Sequence, residues 1–292
     1  MSAPFLYAVM GPTASGKSEL AELIAGRLNA TILNADAFQV YRGMDIGTAK
    51  PADRARYKLL NLKNPNEDFG VGEYVVLASE LLHQAFQDHQ NVVICGGTGL
   101  YIRALLEEYK DLMPAPPQEL RNSLRSLPLE QAVEKLNELS PEAASKVDLR
   151  NEIRVKRALE KVMGDTTPIQ FTLPPFCTTK LAIVPPVGIS QTKIMHRTKK
   201  MFQNGWVTEV NELINNGYGP GDPGFRALGY EAIAQYLQEG GDEDQVIQQI
   251  ELDTVKYAKR QRTWLRAEPN LVVFSEVAEA LEAVELQVSG NA

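Results

Sequence analysis

Short apolar runs alternate with stretches of helical spacing along the first part of the chain. FLYAVM, ATILN and NVVICGG are apolar runs with the length of buried strands, and each ends at a polar or glycine-rich segment. Leucine and isoleucine recur at helical spacing in SELAELIAGRL, and GLYIRALLEEY has the same pattern after the third run. This order of strand, helix and strand is typical of a parallel sheet flanked by helices. We therefore predict the α/β fold class.

The middle of the chain has a different pattern. MPAPPQELRNSL opens with prolines, and amphipathic stretches such as EIRVKRALEKVM follow it. We predict an all-helical insertion domain over residues 114–171, inside a catalytic core formed by residues 1–113 and 172–292. In the second part of the core, KLAIVPP and NLVVF predict two further strands. Between them, three helical stretches are predicted over residues 194–217, 229–241 and 242–266.

A phosphate-binding motif follows the first predicted strand. GPTASGKS fits the pattern G-x-x-x-x-G-K-[ST], in which backbone N–H groups and a helix N-terminus bind phosphate. Lys17 would supply a positive charge, and the Ser18 hydroxyl could hold Mg²⁺, which makes Ser18 the candidate metal ligand. The predicted core is thus P-loop NTPase-like. The candidate phosphate-binding residues are Gly11, Pro12, Thr13, Ala14, Ser15, Gly16, Lys17 and Ser18.

Two polar residues, Thr13 inside this motif and Asp36 after the second predicted strand, are candidates for further chemical roles. The Thr13 hydroxyl could reach a bridging phosphate oxygen, or Thr13 could be an ordinary turn residue. Asp36 could coordinate Mg²⁺ through water or act as a general base, or it could equally be a helix N-cap or part of a structural ion pair. Because the carboxyl ends of parallel strands meet at one edge, Gly11–Ser18, Asp36 and Gly96–Thr98 are expected to converge. A small-molecule kinase or NTPase fits these residues as well.

The charge of the chain is acidic on average but locally basic. A net charge of −7 argues against a wholly basic nucleic-acid binder, yet KYAKRQRTWLR holds five basic residues in eleven. Residues 150–161 and 196–200 form two further clusters, which could equally be solvated helix faces. No apolar run approaches the ~20 residues of a membrane helix, and the N-terminus lacks the basic region of a signal peptide. We expect a cytoplasmic protein with no membrane segment.

Six motifs along the chain resemble those of one family. GPTASGKSELA, ADAFQVYRGMDIGTAKP, GGTGLYIRALL, RVKRALE, RALGYEAI and YAKRQRTWLR follow the order found in the tRNA dimethylallyltransferases, also called tRNA isopentenyltransferases. The resemblance implies transfer of a dimethylallyl group from dimethylallyl pyrophosphate to N6 of the adenine just 3′ of the anticodon. It also implies that the phosphate loop holds the donor's pyrophosphate. The implied partners are tRNA and dimethylallyl pyrophosphate, the implied cofactor is Mg²⁺, and we expect a monomer.

The resemblance also assigns roles to individual residues. It makes Asp36 the base that removes the amine proton, places Thr13 near the bridging oxygen, and aligns Arg197 with a pyrophosphate contact. These three are the candidate catalytic residues. Trp264 would either stack on a base or pack within the protein. The tRNA-binding residues that the resemblance implies are Asp36, Ala37, Phe38, Gln39, Thr98, Arg121, Arg154, Lys156, Arg157, Arg226, Gly229, Tyr230, Lys259, Arg260, Gln261 and Trp264.

The sequence departs from the family pattern in two places. Ala37 and Phe38 follow Asp36 where the family usually has Ser, so a hydrogen bond there must be made otherwise. The approach to Arg197 lacks the usual Arg-Glu-x-Leu. An adenylate isopentenyltransferase, which makes cytokinin from a free adenine nucleotide, is the nearest alternative, although IGTAKP and YAKRQRTW favour the tRNA branch. A small-molecule kinase is the second alternative, and it would need an acceptor site and a lid of phosphate-facing arginines.

Overall fold

A six-stranded parallel sheet forms the centre of the protein. The computed structural model describes residues 4–164 and 167–290. The predicted core therefore has residues 1–3 and 291–292 outside the described residues, and the predicted insertion has residues 165–166 outside them. The strand order is β3-β2-β4-β1-β5-β6, which confirms the predicted α/β fold class with a parallel, P-loop-like core. The strands are β1 (Phe5–Met10), β2 (Thr31–Asn34), β3 (Tyr57–Lys58), β4 (Val92–Gly96), β5 (Cys177–Ile183) and β6 (Leu271–Phe274).

Helices cover both faces of the sheet. On one face, α1 (Lys17–Leu28) and the C-terminal helix pack Leu20, Ile24 and Val284 against β1 and β4. On the other face, side chains of two helices pack in the same way, among them Leu82 and Ile102. Strands buried on both faces consist of nearly continuous apolar residues, which explains why β1 and β4 were recognisable in the sequence. The two helices of the second face are α2 (Val71–Gln87) and α3 (Gly99–Leu106).

The loops after β1, β2 and β4 converge at the carboxyl edge of the sheet. The Ala35 N–H donates to the Cys95 carbonyl at 2.8 Å, and the Thr98 N–H donates to the Ala35 carbonyl at 3.1 Å. A Cβ on Gly96 would lie 2.1 Å from that same Ala35 oxygen, so only glycine allows this approach. The phosphate loop, Asp36 and Thr98 therefore meet at one edge, as the sequence predicts.

Four helices occupy most of residues 114–171 and have a hydrophobic core of their own. Leu124, Leu136, Val155 and Leu159 are all buried in this core. Arg121 pairs with Asp68 of the sheet domain at 2.8 Å, which ties the first of these helices to the rest of the protein. The four helices are α4 (Gln118–Arg125), α5 (Leu129–Leu139), α6 (Pro141–Ser145) and α7 (Glu152–Met163).

The last third of the chain is helical, but its boundaries differ from those predicted. The stretch predicted over residues 194–217 begins earlier, after Pro186, and breaks in two at Gly205, which has a φ of 95°. None of the helices among the described residues is long and apolar enough to cross a membrane. The helices after β5 are α8 (Val187–Gln203), α9 (Trp206–Asn215), α10 (Tyr230–Glu239), α11 (Glu243–Leu265) and α12 (Val277–Gly290).

Candidate active site

A cavity of about 340 Å³ lies between the carboxyl edge of the sheet and helices α8 and α11. Its walls combine the phosphate loop, the segment after β2, and basic side chains from three separate parts of the last third of the chain. The sequence-predicted residues that line it are Thr13, Lys17, Ser18, Asp36, Phe38, Gln39, Arg197, Arg226, Arg260 and Gln261.

The phosphate loop has the backbone of an anion-binding nest. Ala14 (φ 59°) and Gly16 (φ 101°) are left-handed, and α1 begins immediately afterwards at Lys17. Left-handed residues among right-handed ones turn successive N–H groups toward one point, and a helix N-terminus adds positive potential there. The Lys17 ammonium reaches back over the loop, 3.4 Å from the Pro12 carbonyl oxygen. The loop therefore combines the two features of an anion site, converging N–H groups and a cation, at the edge of the cavity.

Positive charge exceeds negative charge inside the cavity. Burial lowers the pKa of Lys17, whereas the nearby Cys95 and Asp36 raise it and Arg197 lowers it further. Burial also lowers the pKa of Arg197, against the opposing effect of Asp36. Burial raises the pKa of Cys95 to about 11, so its thiol stays neutral. Lys17 and Arg197 together carry more positive charge than Asp36 neutralises, and this excess favours a ligand with several negative charges.

Asp36 is held by hydrogen bonds to its main chain and to one of its two carboxylate oxygens. Its Oδ1 accepts the Phe38 N–H at 2.9 Å, while the Asn34 side chain bonds the Asp36 N–H and carbonyl, both at 3.2 Å. Within the described residues, the other oxygen, Oδ2, accepts no hydrogen bond from the protein. Asp36 lines the cavity, and an oriented carboxylate with an unbonded oxygen is suited to accept a proton from a bound ligand.

The segment after Asp36 is held without the serine that the family usually has. The Ala37 N–H donates to Thr98 Oγ1 at 3.0 Å. The Gln39 amide donates to the carbonyls of Thr48 and Ala49 at 3.0 and 3.2 Å. Thr98 and Gln39 were both predicted to bind tRNA, and in the structure their side chains also fix the wall of the cavity.

Glu209 was missed by the sequence analysis, although it holds the loop at residues 45–47. Its carboxylate accepts the N–H groups of Asp45 and Ile46, each at 2.6 Å, and of Gly47 at 3.2 Å. The Tyr230 hydroxyl donates to it at 2.7 Å. Gly47 lines the cavity, so this buried carboxylate shapes one wall. No local pattern marks Glu209, because the three loop N–H groups that it accepts lie more than 160 residues away in the sequence.

We expect Glu209→Ala to lower the free energy of unfolding by about 3 kcal/mol, because four donors would lose a charged acceptor in a buried site. Urea denaturation followed by circular dichroism measures this change. Glu212→Ala, an exposed residue on the same helix, is the matched control and should leave the unfolding free energy nearly unchanged. An equal loss in both variants would contradict the role assigned to Glu209.

Several predicted tRNA-binding residues lie outside the cavity, on the four-helix segment. Arg121 pairs with Asp68, and Lys156 bonds both Glu152 and the Arg125 carbonyl. Arg157 pairs with Glu160, whereas Arg154 is exposed on the same helix.

Two predicted contacts from RALGYEAI, Gly229 and Tyr230, pack against other residues of the protein. Tyr230 is fully buried with its hydroxyl on Glu209, and Gly229 (φ 92°) packs against the Trp206 ring. Gly229 is needed for packing, since a Cβ at this position would lie 2.2 Å from the Trp206 ring. Tyr230 is needed for its hydrogen bond to Glu209. The Tyr230 side chain is not exposed, and Gly229 has no side chain to offer.

Helix α11 borders the cavity with a mixture of exposed and buried side chains. Lys259 and Arg260 are exposed, and the Arg260 guanidinium lies 5.5 Å from the Tyr257 ring centroid. Trp264 is half-buried, with the Arg103 guanidinium 4.5 Å from its ring centroid. Gln261 is only 8% exposed and bonds within the protein.

The chain matches known proteins over most of its length. A family model described as IPP transferase matches residues 39–268. The chain is 37% identical over 298 residues to a tRNA dimethylallyltransferase of Acaryochloris marina, covering 99% of this chain and 98% of the relative. A tRNA dimethylallyltransferase of a Synechocystis species is 39% identical over 271 residues, covering 90% of this chain and 88% of the relative.

Solved structures of tRNA isopentenyl- and dimethylallyltransferases also match this chain. The full-length tRNA isopentenylpyrophosphate transferase of Bacillus halodurans matches with a TM-score of 0.72 and 27% identity, covering 99% of this chain and 96% of that one. A eukaryotic dimethylallyltransferase that acts on tRNA matches with a TM-score of 0.75 at 19% identity, covering 94% and 75%, and shows the shared fold alone. With the family model matching more than half of the chain, this protein belongs to the IPP transferase family, the family of the tRNA dimethylallyltransferases.

Proposed function

We propose that this chain transfers a dimethylallyl group from dimethylallyl pyrophosphate to N6 of the adenine 3′ of a tRNA anticodon. The observation that carries the proposal is the shared cavity, which is lined both by the phosphate loop and by Asp36, whose carboxylate is held at one oxygen by the Phe38 N–H. The relatives named tRNA dimethylallyltransferase supply the identity of the transferred group and of the acceptor. The cytokinin-forming alternative and the kinase alternative have no such support.

The proposed reaction joins N6 of adenine to C1 of the donor and breaks the bond from C1 to the pyrophosphate oxygen. An exocyclic adenine amine is a weak nucleophile, so a base must take one of its protons as attack proceeds. We assign that proton to Asp36. The pyrophosphate leaves with the electron pair of the broken bond, and its growing negative charge would be stabilised by Lys17, Arg197 and the loop N–H groups. Thr13 would contact the bridging oxygen.

The residues around the phosphate loop fit a Mg²⁺ ion that binds together with the substrate's phosphates. Among the described residues, no group of three or more His, Cys, Asp or Glu side chains could hold a metal ion. Mg²⁺ usually keeps several waters and binds through one or two protein ligands plus substrate phosphates. Ser18, exposed in the first turn of α1, would be the protein ligand. Bound Mg²⁺ would neutralise charge on the departing pyrophosphate.

The acceptor adenine must leave its stack in the anticodon loop to reach Asp36. Arg226 and Arg260 are exposed and also line the cavity, so they would meet the RNA backbone at its mouth. Contacts of this kind neutralise phosphates, and tRNA binding should therefore weaken as salt concentration rises. A cytoplasmic location and a monomeric state remain predictions.

The test is transfer of label from radioactive dimethylallyl pyrophosphate in the presence of Mg²⁺. Unmodified tRNA with adenine 3′ of its anticodon is the substrate, and the same tRNA with guanine at that position is the control. Label on the adenine-containing tRNA alone would support the proposal. Label on AMP or ATP would move the chain to the cytokinin-forming branch, and phosphate transfer from ATP without any prenyl transfer would favour a kinase.

A further inference from the structure

Gln261 lies in the basic segment of α11 but faces the protein interior. Its neighbour Arg260 is exposed, whereas Gln261 is 8% exposed. Both ends of its amide are used within the protein: Oε1 accepts the Thr13 N–H at 2.8 Å, and Nε2 donates to the Gly97 carbonyl at 3.0 Å. A buried side chain with both ends bonded is poorly placed to bind RNA.

These two hydrogen bonds join three separate elements of the site. Thr13 belongs to the phosphate loop after β1, Gly97 follows β4, and Gln261 lies 248 residues beyond the first and 164 beyond the second. Thr13 is itself buried, so its N–H would lack a partner without Gln261. A Cβ on Gly97 would lie 2.4 Å from Gln261 Nε2, which shows how closely the two approach.

The chemistry of the two contacts requires glutamine. The partner at Thr13 is a donor and the partner at Gly97 is an acceptor, so the amide oxygen must face the first and the amide nitrogen the second. Glutamate keeps the acceptor but, when ionised, has no donor for Gly97. Methionine has a similar length but lacks both functions.

We propose that Gln261 is a positioning residue, which holds the start of the phosphate loop in its pyrophosphate-binding conformation from helix α11. Thr13 directly precedes Ala14 and lies three residues before Gly16, the two residues whose left-handed conformations direct the loop N–H groups toward one point. Fixing Thr13 therefore orders the anion site before the donor arrives, which lowers the cost of binding. The role in donor binding rests on the proposed function, but the conformation of the loop does not.

The test measures the binding of inorganic pyrophosphate in the absence of RNA, and the binding of tRNA in a separate experiment. We expect Gln261→Met to weaken pyrophosphate binding about tenfold by calorimetry, since two hydrogen bonds are lost and a buried N–H is left unpaired. Hydrogen exchange should quicken in the peptide that spans residues 11–18, while tRNA affinity stays close to that of the wild type. Gln248→Met, an exposed glutamine on the same helix, is the matched control and should change none of these.

The opposite result would identify an RNA contact. Unchanged pyrophosphate binding and loop exchange, with weaker tRNA binding, would overturn the proposal. If Gln261→Met folds poorly, Gln261→Glu provides the test, because it keeps an acceptor for the Thr13 N–H and should keep hydrogen exchange over residues 11–18 close to that of the wild type. Loop exchange as fast as in a fully unprotected loop would count against the proposal. Wild-type protein that binds pyrophosphate but labels no tRNA would instead refute the proposed function alone.

Discussion

We expect Asp36→Asn to lower kcat for tRNA prenylation by roughly 10²- to 10⁴-fold, the usual contribution of a positioned general base. An asparagine oxygen can still accept the Phe38 N–H that Asp36 Oδ1 accepts at 2.9 Å. The contacts with Asn34 use the main chain of residue 36, so the substitution leaves them in place. The fold of the segment should persist while its capacity to take a proton is lost. Single-turnover kinetics on enzyme saturated with tRNA measure this step directly.

Asp53→Asn is a matched control for Asp36→Asn. Asp53 also accepts the N–H of the residue two positions later, at 2.9 Å, but it is exposed and does not line the cavity. Its substitution should leave turnover unchanged. If Asp36→Asn instead weakens tRNA binding strongly and reacts normally once tRNA is bound, then Asp36 is a binding residue and the base lies elsewhere.

The parts of the fold that could be predicted from sequence are those with a strong local pattern. Strands β1 and β4 are continuous apolar runs, and α1 follows a loop with a recognisable motif. Strand β3 has only two residues and depends on its pairing with β2, so no sequence window could reveal it. The sequence analysis also assigned no element to α2 or α12. The break at Gly205 depends on a glycine that a helical pattern can tolerate.

The candidate site divides in a similar way. The phosphate loop and Asp36 were recognisable because each directly follows a strand, and parallel topology then brings them together. Glu209 and Gln261 act through hydrogen bonds to residues more than 160 positions away, so their roles appear only in the folded chain. Tyr230 was predicted to bind tRNA because it lies in a family motif, yet it is buried beneath the cavity wall. A family motif thus indicates that a residue is important, but it does not distinguish a residue that contacts RNA from one that stabilises the site.

We expect Lys17→Met to reduce kcat/KM for dimethylallyl pyrophosphate by about 10²- to 10³-fold, the usual effect of removing one group that stabilises a developing anion. Methionine keeps the length of the side chain and removes the charge. The backbone nest of Ala14 and Gly16 remains, so some affinity for the donor should persist. Binding of tRNA should change little, because Lys17 belongs to the phosphate loop, which is assigned to the donor's pyrophosphate. Initial rates at varied donor concentration, with tRNA saturating, measure this change.

The pH dependence of pyrophosphate binding is a second test of the positive charge on Lys17. Burial lowers the pKa of Lys17, so its ammonium loses a proton at a lower pH than an ordinary lysine. Pyrophosphate affinity in the wild type should therefore fall as pH rises through that pKa, and the fall should be absent in Lys17→Met. Lys58→Met removes an exposed lysine of the same sheet and should keep the wild-type profile. An alkaline fall that persists in Lys17→Met would mean that another group supplies the charge, and the phosphate loop would then bind its anion chiefly through backbone N–H groups.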